Sequence, residues 1–96
     1  MLTESIVLLT NGTTTGPQVQ WPGGRGVFTA AGNFSGATVA LQMLGPDGAT
    51  WFNTGTDTTL TSASAGAFDL PPAQVRANVT GGPPIGMYAG AARVPV

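Results

Sequence analysis

Residues 36–60, GATVALQMLGPDGATWFNTGTDTTL, carry two apolar runs on either side of Gly45-Pro46-Asp47-Gly48. Alternation with a period of two marks a strand that buries one face. Val39, Leu41 and Met43 fall on one side; Thr38, Ala40 and Gln42 fall on the other. Gly-Pro-Asp-Gly is turn chemistry: proline presets one dihedral, aspartate bonds its own backbone, and glycine accepts a positive φ. The segment reads as a β-hairpin, written almost without charge. It commits the chain to pairing strands and leaves no room for a helical core. Trp51 opens the return strand and is expected to pack into the core.

The rest of the chain repeats the pattern. Strands are expected at 5–10 (SIVLLT), 19–21 (VQW), 26–31 (GVFTAA), 37–44, 49–53, 58–61, 67–70, 74–80 and 86–94. Asn11-Gly12 reads as a hairpin turn after the first strand. Residues 13–17 read as a polar linker, and Pro71-Pro72 ends a strand because proline cannot donate to the ladder. Glycine or proline recurs every few residues, and no segment sustains a helical period. Short strands at roughly 8–12-residue spacing argue for an all-β antiparallel sandwich of jelly-roll type with about eight strands. The division expected is residues 1–22 as an N-terminal strand or arm, either part of the domain or a contact arm, and 23–96 as the β-sandwich domain.

Charge sets the limits on chemistry. Three arginines and four acidic residues are the whole ionic content, 7% of the chain, against about a quarter in ordinary domains. There is no lysine, histidine or cysteine. Nucleophilic triads and Cys/His zinc sites lack their parts. Three arginines make no basic stripe, so nucleic acid is not an expected partner. No apolar run approaches the length of a membrane helix, and no basic n-region of a signal peptide is read, so no membrane partner is expected. Gly23-Gly24-Arg25-Gly26 lacks the following helix of a phosphate cradle and reads as a turn. Asp47, Asp57 and Asp69 are the one route to carboxylate-pair catalysis. Each fits a turn or a solvent-facing position better, and the same reading outweighs a calcium site built from Asp47, Asn53 and Asp57. The expectation is a non-enzymatic protein with no catalytic residue, metal or cofactor. So few charges on a free monomer also suggest that much of its surface is covered in the working state.

Trp21, Trp51, Phe52 and Tyr88 could stack on a sugar ring. Trp21, beside its loop, is expected to be less enclosed than Trp51. An exposed, coplanar Trp21/Trp51/Tyr88 patch would favour a carbohydrate-binding or adhesion module; buried aromatics would favour a structural role. Asn11, Asn33 and Asn78 match the N-glycosylation pattern, which follows from abundant serine and threonine.

GATVALQMLGPDGATWFNTGTDTTLT, FDLPPAQVRANVTGG and the closing MYAGAARV resemble small proteins found in the structural-gene regions of tailed bacteriophages. The resemblance spans about residues 25–94 and is a pattern of strands and turns. It implies a virion-associated β-sandwich: a capsid decoration or cement protein on the capsid surface, or a head-fibre or tail component, assembled in the host cytoplasm. The implied partners are the major capsid protein and further copies of the chain, as a homotrimer or similar cluster. Residues 1–21, or the closing 93–96, are expected to serve as an arm, with the 13–17 linker letting the first strand pair elsewhere. Candidate partner contacts are Ile6 and Leu8 on that arm, Trp21 at its end, and Arg25, Arg76 and Arg93, arginine being enriched in interfaces.

Overall fold

The computed structural model describes residues 5–94. They form nine strands: β1 (Ser5–Gly12), β2 (Val19–Trp21), β3 (Gly24–Asn33), β4 (Thr38–Leu44), β5 (Trp51–Asn53), β6 (Thr59–Leu60), β7 (Ser64–Leu70), β8 (Ala73–Thr80) and β9 (Ile85–Arg93). Two antiparallel sheets result, one in the order β1-β9-β3-β7, the other in the order β2-β8-β4-β5 with β6 also on β4. The pairings nest: β1 takes β9, β2 takes β8, β3 takes β7, and β4 takes β5 and β6. The chain is thus one long hairpin, wrapped so that β9 also meets β3 and β8 also meets β4. That wrapping is the jelly-roll sandwich the strand spacing predicts.

The hairpin at the centre forms as read. Gly48 N–H donates to the Gly45 carbonyl and Gly45 N–H to the Thr50 carbonyl, which sets Leu44 opposite Trp51. The strand returning along β4 breaks into β5 and β6, separated by residues 54–58. Leu41 bridges the gap, donating to Thr58 O and accepting from Thr54 N–H.

Inward side chains of both sheets fill one core, with Trp21, Phe28, Val39, Leu41, Val75, Ala77 and Met87 fully enclosed. Trp21 meets Phe68 edge to face at 4.9 Å between centroids. Gly26 makes this possible: a Cβ there would stand 2.7 Å from both rings.

Three expectations for the N-terminal region change. Asn11-Gly12 is not a hairpin turn. It lies within β1, with Asn11 at φ 51°, where the register against β9 slips. The first strand pairs with the last, so no tight turn is needed there. Leu8 and Leu9 are both buried because a β-bulge after Val7 interrupts the alternation. Residues 13–17 are not a loose linker. Gly16 N–H donates to the Ala77 carbonyl, and the Thr15 hydroxyl bonds Asn78 Oδ1 while accepting from Val79 N–H. A Cβ on Gly16 would overlap the Leu8 carbonyl, so this stretch lies directly against β1 and closes the side of the sandwich. Residues 5–21 therefore belong to the domain. The remainder of the expected arm, 1–4, and of the closing segment, 95–96, lie outside the described residues.

Candidate functional site

Two outer sheet faces remain once the core is assigned, and they differ in chemistry. On the four-stranded sheet, register lines up Ser5, Ala92, Val27 and Ala67 in one cross-strand row, and Val7, Gly90, Thr29 and Ala65 in the next. Ala31 and Tyr88 pair beyond them. Val7 is 66% exposed and Tyr88 53%. Two shallow grooves, each about 270 Å³, run along either side of the line from Val7 to Thr29. By register, Arg25 and Asp69, opposite each other at one end, are the charged residues of this face among those described. The face is flat because its side chains are small, and it is apolar because alanine and valine occupy the outward positions.

The outer face of the five-stranded sheet is a field of amides. Gln74 donates to Gln20 Oε1 at 2.6 Å across β8 and β2. Arg76 Nε donates to Gln42 Oε1 at 2.9 Å, and Gln42 donates in turn to Asn53 Oδ1 at 2.9 Å. The guanidinium of Arg76 lies 4.3 Å above the Trp51 ring centroid. Trp51 is therefore not a core residue. Opposite Leu44, it falls on the same outward parity as Gln42, and it is half-buried by its neighbours on that face.

The structure scatters the sequence-predicted contacts. Leu8 and Trp21 are 1% and 0% exposed, which removes both as surfaces for a partner. Trp21 shares its inward register with Val19, and its burial reverses the expected order of the two tryptophans. Ile6 is half-buried and packs on the core. Arg25 is exposed on the apolar face, Arg76 is half-buried on the amide face, and Arg93 is half-buried with its side chain beside Gly24. The three arginines do not converge. Nor do Trp21, Trp51 and Tyr88, which lie in the core and on opposite outer faces. The coplanar aromatic patch is not assembled. Val7 and Thr29 are not singled out by the sequence, and Tyr88 is singled out only as a ring-stacking aromatic. The alternation of Val27, Thr29 and Ala31 against Phe28 and Ala30 marks that outward row, but the bulge hides Val7.

The aspartates are likewise dispersed: Asp47 in the β4–β5 turn, Asp57 between β5 and β6, Asp69 on the apolar face. Asp47 is committed to its turn. It accepts from the Thr50 hydroxyl and from the backbone N–H groups of Thr50 and Ala49 at 2.9 and 3.0 Å. These bonds, the hydroxyl's first, lower its pKa to about 2. A depressed pKa contributes stability that is present above the ordinary carboxylate value and lost as pH falls through the folded one. The thermal midpoint of the wild type should therefore exceed that of Asp47→Asn at pH about 5, with the gap closing toward pH about 2. A gap constant across that range would mean the charge does not hold the turn.

No protein-family model matches the chain, and no curated protein matches it in sequence. Among solved structures, the SPBc2 prophage-derived protein YomS aligns with a TM-score of 0.68 and 13% identity, over 94% of this chain and 89% of that one. The two share a fold. A chain from infectious bursal disease virus (Gx strain) aligns at a TM-score of 0.34 and 11% identity, over 96% of this chain and 32% of that one, too remote to bear on the argument.

Proposed function

We propose that the chain is a non-enzymatic structural protein of a tailed-phage virion, a decoration or cement protein that docks on the major capsid protein lattice. The observation that carries this reading is the outer face of the four-stranded sheet. It is flat and apolar, and the ionic groups of its described residues are confined to one end. Exposed apolar surface of this kind marks an interaction site. The prophage origin of YomS, a protein of the same fold, supports the phage assignment. Copies clustered on the lattice, as a trimer or a similar ring, would cover the face and relieve the solubility cost of so few charges.

The test is binding to pre-assembled capsids of the encoding phage. At saturation the protein should raise their resistance to heat, since a ligand of the assembled state at 100 times its Kd adds about 2.7 kcal/mol. Val7→Glu should reduce capsid binding at least about tenfold, because a carboxylate would be desolvated without a partner. It should leave the fold intact, since Val7 already faces solvent. Unaltered binding by this variant would remove the apolar face from the interface. No binding by the wild type would remove the capsid.

A further inference from the structure

We infer that the opposite face, on the five-stranded sheet, is a binding site for an acidic saccharide of the hexuronate type, with Arg76 as the receptor for its carboxylate. This does not rest on the capsid reading, which uses the other sheet.

The first ground is the state of Arg76. Its Nε is fixed on Gln42, Gln42 is fixed on Asn53, and the guanidinium plane lies over Trp51. The side chain is held from two sides. Its two Nη groups nevertheless make no hydrogen bond, and it forms no ion pair, with any described residue. The chain carries more acid than base, yet the carboxylates of the described residues are placed elsewhere: Asp47 in its own turn, Asp57 between β5 and β6, Asp69 across the sandwich. Within the fold, then, Arg76 is a half-buried fork without a planar anion. A guanidinium's paired N–H groups match the two oxygens of a carboxylate, and a pre-ordered fork loses less entropy on engaging one.

The second ground is what surrounds it. By register, Arg76 is the single charged residue on this face among the described residues, and the amides Gln20, Gln74, Gln42 and Asn53 share the face with Ala40 and Leu44. An amide offers donor and acceptor together, which suits a hydroxyl that both gives and takes a hydrogen bond. A protein-binding face would present apolar anchors at its centre. Here the half-buried Trp51 is the one aromatic, suited to the C–H face of a sugar. One positive charge is also too little for a nucleic-acid backbone. A carboxylate set among hydroxyls is the ligand chemistry that satisfies both the arginine and the amides.

The chain has two tryptophans, and their indole N–H signals separate the site from the fold. Trp51 lies in the proposed site, while Trp21 is fully buried and reports folding. The ¹⁵N-labelled chain is titrated with tetragalacturonate and with a hyaluronan tetrasaccharide. The expected result is a saturable shift of the Trp51 indole signal with at least one of them, and an unmoved Trp21 signal. The methyl-esterified tetragalacturonate should bind at least about tenfold more weakly, a charge-assisted bidentate contact being lost. Arg76→Gln should lose at least as much, and Arg76→Lys should fall between. Absence of a saturable shift with both acids overturns the inference. So does equal binding of the methyl ester, or wild-type affinity in Arg76→Gln with Trp21 unmoved. Tighter binding of a tetraglutamate peptide would assign the face to a protein carboxylate instead.

Discussion

The Trp21→Ala variant is expected to lose about 3–5 kcal/mol of stability, the range measured when a large buried aromatic is truncated. A domain of this length has on the order of 5–15 kcal/mol in total, so at least about a fifth of the margin, and up to all of it, would go. The melting midpoint should fall by roughly 4–8 °C for each kcal/mol lost. The loss follows from where the ring lies. Trp21 is fully enclosed, packs edge to face on Phe68, and occupies space that Gly26 leaves open by having no Cβ. Trp21→Phe should cost less than size alone dictates. The indole Nε1 is buried with no hydrogen-bond partner among the described residues, so removing it also removes a buried donor, which costs about 1–3 kcal/mol where unmet. Thermal unfolding of the three proteins measures both effects. A surface role for Trp21 would instead leave the alanine variant near the wild-type midpoint and weaken only its binding.

Much of the architecture was legible because the strands are short and punctuated. Val19–Trp21 was read with its observed bounds, and 74–80 differs from β8 by one residue. Those elements are set by local alternation and by proline and glycine stops. What local reading missed has one cause: the pairing is nested. Asn11-Gly12 has the composition of a tight turn, but the partner of β1 is β9, almost the whole chain away. The bulge that buries Leu8 and Leu9 together exists only against that partner. The two tryptophans exchange places for a related reason. A residue's parity along a strand is legible, but which parity faces the second sheet depends on how the hairpin wraps. The sites follow suit. Val7 and Thr29 acquire meaning from cross-strand neighbours distant in sequence, so no motif announces them; Arg76 and Tyr88 stand out by residue type, but the faces they share come from the same pairings.

Removing residues 1–12 is expected to abolish folding, an outcome opposite to that of a detachable arm. β1 supplies Leu8 and Leu9 to the core, together worth about 3–6 kcal/mol of apolar burial. It also supplies the backbone partner of β9 from Ile6 to Gly12. Without it, β9 becomes an unprotected edge whose inward Met87, Ala89 and Ala91 lose their cover on one side, and such an edge invites aggregation. The stretch from Thr13 to Pro17 loses its seat as well, since Gly16 packs on the Leu8 carbonyl. The truncated chain should show no cooperative thermal transition and a collapsed amide spectrum. A folded chain melting near the wild type would restore the arm. Failure of this truncation to bind capsids would therefore say nothing about an arm, because an unfolded chain binds nothing specifically. Val7→Glu separates the two cases. It lies within the deleted segment, points away from the core, and tests the surface of β1 while leaving its leucines in place.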